Sequence, residues 1–236
     1  MYERPYQDYF DLQLRVALSY ARLGQMPRAV AIGQFTNLRK RLGLMGASGV
    51  AAWRRLLQCA SSEADHQDLL EAALDLHDRR AQCFSSPFGC FSYDPPDAEG
   101  VIRIHFMPDE RHRGDSPLSD ARLPERRAEL RALTADLRQR HPDARHVRGR
   151  SWLYNLDAYK RIFPAEYVAS ISRPTSAVNL TGSSTWGQAL NYQGRVKQAV
   201  RDHVLSHVSL ATLETPWQAF PLIALVADAP VQCFAP

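Results

Sequence analysis

The sequence predicts an α/β protein, with α+β as the neighbouring class: an N-terminal helical segment packed on a small mixed sheet that contains at least one βαβ unit. Three observations predict it. Apolar residues recur at helical spacing through the first third of the chain, and the pattern turns strand-like after "CFSSPFG", residues 83–89. A long amphipathic helix then separates two alternating segments, and a crossover of that length implies a right-handed unit with parallel strands. The expected organisation is a helical segment over 1–84 and a sheet domain over 85–236, with one continuous domain as the alternative.

Taken in order, Tyr9, Leu12, Val16, Tyr20 and Leu23 form the first helical stripe. Ala31, Phe35, Leu38 and Leu42 form the second, with Pro27 at a helix start and Gly43 past a helix end. A third helix runs around Val50, Trp53, Leu56 and Ala60. The fourth starts at Ser62, whose hydroxyl caps it with Asp65 three residues on, and continues through Leu69, Ala73, Leu76 and Cys83. "GCFSYD", "PPDAEG" and "VIRIHFM" read as strand, turn and strand, a hairpin. Leu123, Leu130, Leu133 and Leu137 mark a helix over 119–141 that "HPD" stops. "ARHVRGRSWLYN" follows as a strand. A helix is expected over 187–211, and "PLIALVADAP", 221–230, reads as a late strand of the same sheet.

With 236 residues, 45% hydrophobic and 23% charged, the chain falls in the range of ordinary globular proteins. The N-terminus lacks the pattern of a secretory signal, and no stretch approaches the ~18 apolar residues that cross a bilayer, so a cytoplasmic protein with no membrane partner is expected. Cys59, Cys83, Cys90 and Cys233 contain no Cys-x-x-Cys, and free thiols are expected. Charge is more informative by block: 11 basic and 12 acidic groups in 1–100, 12 and 8 in 101–150, 6 and 5 in 151–236. The net +4 thus sits in the middle fifty residues, where every Lys or Arg is arginine. Arginine makes forked contacts to carboxylate or phosphate, which points to an anionic partner. A nucleic-acid partner is not expected, because the excess is small and no RNP-type aromatic motif is present. No cofactor fingerprint or catalytic triad stands out, and no cofactor is assigned.

The stretch "ALSYARLGQMPRA", 17–29, resembles one helical hairpin of a tetratricopeptide repeat through Ala17, Tyr20, Leu23, Gly24 and Ala29. It does not recur a period later, which implies an ordinary antiparallel helix pair. A protein-interaction module through the N-terminal helices is one alternative function.

Alternation along the strands divides their side chains between two faces. Ile102, Ile104 and Phe106, with Val147, Gly149, Ser151 and Leu153, suit contact with the crossover helix. Arg103, His105, Arg148 and Arg150, with Trp152 and Tyr154, make a basic aromatic face. Helix 62–83 carries Glu63, Asp65, Asp68, Glu71, Asp75 and Asp78, and is expected to lie across that face and pair with its arginines.

In open parallel sheets ligands sit beyond the carboxyl ends of the strands. The loops there are "PDERHRGDSP", 108–117, and "YNLDAY", 154–159. The first presents Arg111, His112 and Arg113 just before a helix expected to start near Ser116 or Ser119, whose free amides favour anions. The second adds Asn155 and Asp157, either suited to cap the next helix. The expected function is binding of a small phosphorylated or carboxylated ligand by Arg111, Arg113, Arg150, Tyr154 and Asn155. His112, whose ordinary pKa suits proton transfer near neutrality, is the candidate acid or base.

The order strand, "PDERHRG", long helix, strand, Asn155 and "AYKRIF" looks like the second half of a GNAT acyltransferase. The resemblance implies that Arg111 to Gly114 hold the pyrophosphate of acyl-CoA and that Asn155 and Tyr159 form the later pair. It lacks the family's second glycine, sets Asn155 and Tyr159 closer together, and separates the loop from its helix. Finally, His203 and His207 share a helix face, but Val196, Val200, Val204 and Val208 run along it and no third ligand is spaced to join them. They are expected as boundary histidines, and no metal site is assigned.

Overall fold

The computed structural model describes residue 4 and residues 6–61, 65–79, 86–107 and 114–234. Contacts divide the chain into two units, Met1–Gln82 with Ser176–Ile223, and Cys83–Thr175 with Ala224–Pro236. The first boundary falls beside "CFSSPFG". The second separates 176–223 from the sheet domain in which the sequence places it.

The first unit is built on α1 (Gln7–Leu23), α2 (Arg28–Phe35), α3 (Leu38–Arg41), α4 (Val50–Ser61) and α5 (His66–Asp78). Tyr9, Leu12, Val16, Ala17 and Tyr20 are fully buried on α1, as the helical spacing requires. The second stripe is not one helix. Thr36 Oγ1 donates to the Ile32 carbonyl (2.6 Å), and the Asn37 N–H donates to Gln13 Oε1 (2.8 Å), so the chain breaks between α2 and α3. Ser62 and Cys83 lie outside the described residues. The cap of α5 is Asp65, which accepts from the Asp68 N–H (2.9 Å) while Asp68 accepts in return from the Asp65 N–H (3.3 Å).

Residues 176–223 join this core through Leu180, Trp186, Ala189, Val204, Ala219 and Phe220. The helix expected over 187–211 is shorter, α10 (Gln198–His207), preceded by α9 (Ser183–Trp186). Between them Asn191 Oδ1 accepts from the N–H groups of Gln193 and Arg195, both 2.9 Å, and Gly194 takes φ +78°. That polar turn stops helix propagation.

The second unit carries β1 (Phe91–Asp94), β2 (Val101–Phe106), β3 (His146–Ser151) and β4 (Leu225–Pro230) in the order β1-β2-β3-β4. β1 and β2 form the expected hairpin, with Asp97 Oδ1 accepting from Glu99 and Val101 and Gly100 at φ +76°. β2 and β3 are parallel and joined by α6 (Leu123–Arg140), while β4 lies antiparallel to β3. The expected α/β class and its βαβ unit are therefore present. Ile102, Ile104, Val147, Ala227 and Ala229 pack in one core with Leu130, Leu133 and Leu137 of α6. Two short helices, α7 (Asp157–Lys160) and α8 (Ala165–Ala169), close this core with Tyr159 and Tyr167.

β3 ends earlier than its alternation predicts. Ser151 Oγ accepts from the Leu153 N–H (3.1 Å), and Trp152–Asn155 turns into a short 3-10 helix. Tyr154 thereby leaves the basic face and enters the core.

Candidate functional site

Register puts one polar row across the sheet: Asp94 beside Arg103, Arg103 beside Arg148, Arg148 beside Asp228. Arg103 Nη2 lies 3.0 Å from Asp97, and His105 Nε2 lies 2.9 Å from Asp94. Asp228 holds both His146 Nδ1 (2.8 Å) and Arg148 Nε (2.7 Å). Burial pushes the Asp228 carboxyl up, but the hydrogen bonds from His146 and Arg148 outweigh it and hold the group below its ordinary value. The carboxylates on this face therefore come from the same sheet and its hairpin turn. Those of α5 are used elsewhere: Glu71, Asp75 and Asp78 surround Arg4 at 2.7, 2.8 and 2.6 Å. Within each unit the charges are thus matched locally: cross-strand and turn carboxylates serve the arginines and histidines of the sheet row, and those of α5 serve Arg4.

Arg150, the last arginine of β3, stands opposite Val226, an apolar cross-strand neighbour. Its Nε and Nη2 are out of solvent and make no hydrogen bond among the described residues. Arg103 and Arg148 each have a carboxylate; among the described residues Arg150 has none. A buried donor left unmatched costs about 1–3 kcal/mol, and more when charged, so such a group calls for an explanation, of which an absent ion is one.

The other residues singled out in the sequence are placed unevenly. Arg111, His112 and Arg113 lie outside the described residues. Tyr154 is buried, 2% exposed, and shares a 2.7 Å hydrogen bond with the Tyr167 hydroxyl. Burial pushes both hydroxyls above the ordinary tyrosine pKa, and Tyr154 is a core residue rather than a ligand contact. Asn155 is exposed at the end of the 3-10 turn, where its Nδ2 donates to the Trp152 carbonyl (2.7 Å). Neither Asn155 nor Asp157 caps α7; Asp157 pairs with Lys160 at 2.6 Å within that helix. Ser119 precedes a short 3-10 turn, Asp120–Arg122, that leads into α6.

No family model matches the chain. No curated protein and no solved structure matches it either.

Three further features stand apart from this row. A cleft of about 350 Å³ lies at the opposite, N-terminal ends of β2 and β3, between the turn 96–100 and residues 140–145. A second of about 380 Å³ lies in the first unit, bordered by Phe35, Leu180, Leu213 and Trp217. The third was missed in the sequence: Arg126, only 1% exposed, contacts Cys90 Sγ and pairs with Glu125 (2.9 Å) and Glu129 (3.0 Å). Glu129 also accepts from the Cys90 N–H (3.1 Å). The signal was present, since Arg126, Leu130, Leu133 and Leu137 fall on one helical stripe. Among the described residues no group of three or more His, Cys, Asp or Glu stands together to hold a metal ion, and no helix is long and apolar enough to cross a membrane.

Proposed function

We propose that the second unit binds a small anionic ligand, phosphorylated or carboxylated, at the carboxyl end of the β2–β3 pair, with Arg150 as its anchor. The single observation that supports this is the pair of Arg150 nitrogens held out of solvent without a hydrogen-bond partner among the described residues. A guanidinium presents a planar fork of donors that a phosphate or carboxylate satisfies two at a time. Asn155, in the turn after β3, stands at the carboxyl end of that strand, and Arg111, His112 and Arg113, which follow β2 in the sequence, are proposed to complete the set. Tyr154 has no part in the binding set.

The test is calorimetric and thermal titration of the chain and of Arg150→Met with inorganic phosphate, nucleotides, sugar phosphates, dicarboxylates and coenzyme A. Ligand at a hundred times its Kd adds about 2.7 kcal/mol, several degrees in Tm for a unit of this size. The reading expects a shift with at least one anion and its loss in Arg150→Met, with the unliganded variant no less stable than the parent. Absence of any shift, or an equal shift in both proteins, refutes it. The coenzyme A arm also tests the acyltransferase resemblance, which the parallel β2–α6–β3 crossover favours.

A further inference from the structure

The first unit carries a pair of imidazoles that the anion site does not use. His203 and His207 stand one turn apart on α10, and their rings are stacked, with centroids 3.9 Å apart and planes within 15°. Val204 is fully buried and His203 is half-buried beside it, at the core edge as the valine pattern predicts, whereas His207 is exposed.

Hydrogen bonding fixes the His207 tautomer. Its Nδ1 lies 2.8 Å from the His203 carbonyl, which only accepts, so Nδ1 carries the proton. Ser206 Oγ donates to the same carbonyl (2.8 Å) and stands 3.1 Å from Nδ1, reinforcing that arrangement. Nε2 of His207 is then left with a free lone pair. An imidazole whose second nitrogen donates to a backbone carbonyl is the usual arrangement of a metal ligand. The nitrogens of His203 make no hydrogen bond to any described residue.

Distance supports the same reading. Two nitrogens each ~2.0–2.1 Å from one ion and spread by roughly 90–109° stand ~2.9–3.4 Å apart. Side chains four residues apart on a helix are neighbours on one face, so the two imidazoles come within that separation once the His203 ring, which has no hydrogen bond to hold it among the described residues, turns out of the 3.9 Å stack so that the two lone pairs converge.

We infer that His203 and His207 form a two-imidazole site for a divalent transition-metal ion on the exposed flank of α10. With two protein ligands, the remaining positions are taken by water or by donors from solution. Imidazole ligands and the general affinity order of such ions favour Cu(II) over Zn(II) and Ni(II). The site is independent of the anion reading and shares no residue with it.

The experiment is titration of the tag-free chain with Cu(II), followed by calorimetry and electron paramagnetic resonance. One ion per chain is expected, with nitrogen hyperfine structure from two imidazoles. His203→Gln and His207→Gln each lower the affinity about a hundredfold, as loss of one arm of a bivalent contact does, and reduce the coupled imidazoles from two to one. His141→Gln, in the other unit, leaves both readings unchanged. Circular dichroism checks that the Gln variants keep their helix. Unchanged affinity in either Gln variant, a spectrum without two coupled imidazoles, or saturation only at millimolar metal overturns the inference.

Discussion

Gly149→Ala is the sharpest test of how the second unit is assembled. A Cβ at this position would fall inside the Tyr154 hydroxyl, 2.6 Å from the Tyr167 hydroxyl and 3.0 Å from Tyr154 Cζ. Both tyrosines are buried and bonded to one another, so neither ring has free space to withdraw into. Overpacking of this kind costs about 1–3 kcal/mol, and parting two buried hydroxyls adds about 1–3 kcal/mol. The expected loss is therefore about 2–6 kcal/mol, read as a lowered urea midpoint at unchanged slope. A double-mutant cycle makes the cause specific: adding Tyr154→Phe and Tyr167→Phe to Gly149→Ala recovers a large part of the loss, although each Phe change alone destabilises the parent. A loss below about 0.5 kcal/mol, the range of indifferent surface changes, or strict additivity in the cycle, refutes the argument.

Three other predictions concern the acid limb, the alkaline limb and a helix cap. The Asp228 pKa is depressed, so its contribution is present above the unfolded value near ~4 and is lost as pH falls below it. Asp228→Asn costs about 1 kcal/mol at neutral pH, discounted for partial exposure, and flattens the acid limb of a stability–pH curve; an unchanged acid limb refutes the assignment. At the alkaline end the buried Tyr154, Tyr159 and Tyr167 have raised pKa values, so their contribution is intact below ~10 and is lost as pH rises above it. Replacing all three by Phe removes that limb in the same measurement. Asp65→Ala removes the reciprocal cap of α5 and costs about 1 kcal/mol, with faster amide exchange confined to the first turn of that helix; exchange unchanged there argues against the cap.

Local rules read from the sequence were enough for α1, α4, the β1–β2 hairpin and the α6 crossover, because each is written in a periodicity that short-range geometry obeys. The two faces of β2 and β3 were legible for the same reason, and β4 was recognisable as a strand though not as the neighbour of β3. The break at Thr36–Asn37 was hidden, since it depends on Gln13 reaching across from another helix to take the Asn37 N–H. The early end of β3 rests on Ser151 capping a 3-10 turn, a choice that competes with strand propagation in any alternating sequence.

Within the candidate site, strand alternation alone placed Arg150 on the basic face. What it left open was partnership. Arg148 is matched because Asp228 faces it, and Arg103 because the hairpin turn brings Asp97 to it, while Val226 faces Arg150, which has no carboxylate among the described residues. Tyr154 was assigned to the same face by alternation and lost to the core by one hydrogen bond at the strand end.

The amino-acid sequence by itself determined the class of the fold, the order of its main elements and the charge of one sheet face, because these follow from side-chain periodicity and composition within a few turns or strands. Only the tertiary structure decided that 176–223 belongs with the helices and that the acidic helix serves Arg4. Each of these depends on groups distant in sequence meeting in space, and burial and hydrogen-bond satisfaction select such meetings only once the whole chain has folded.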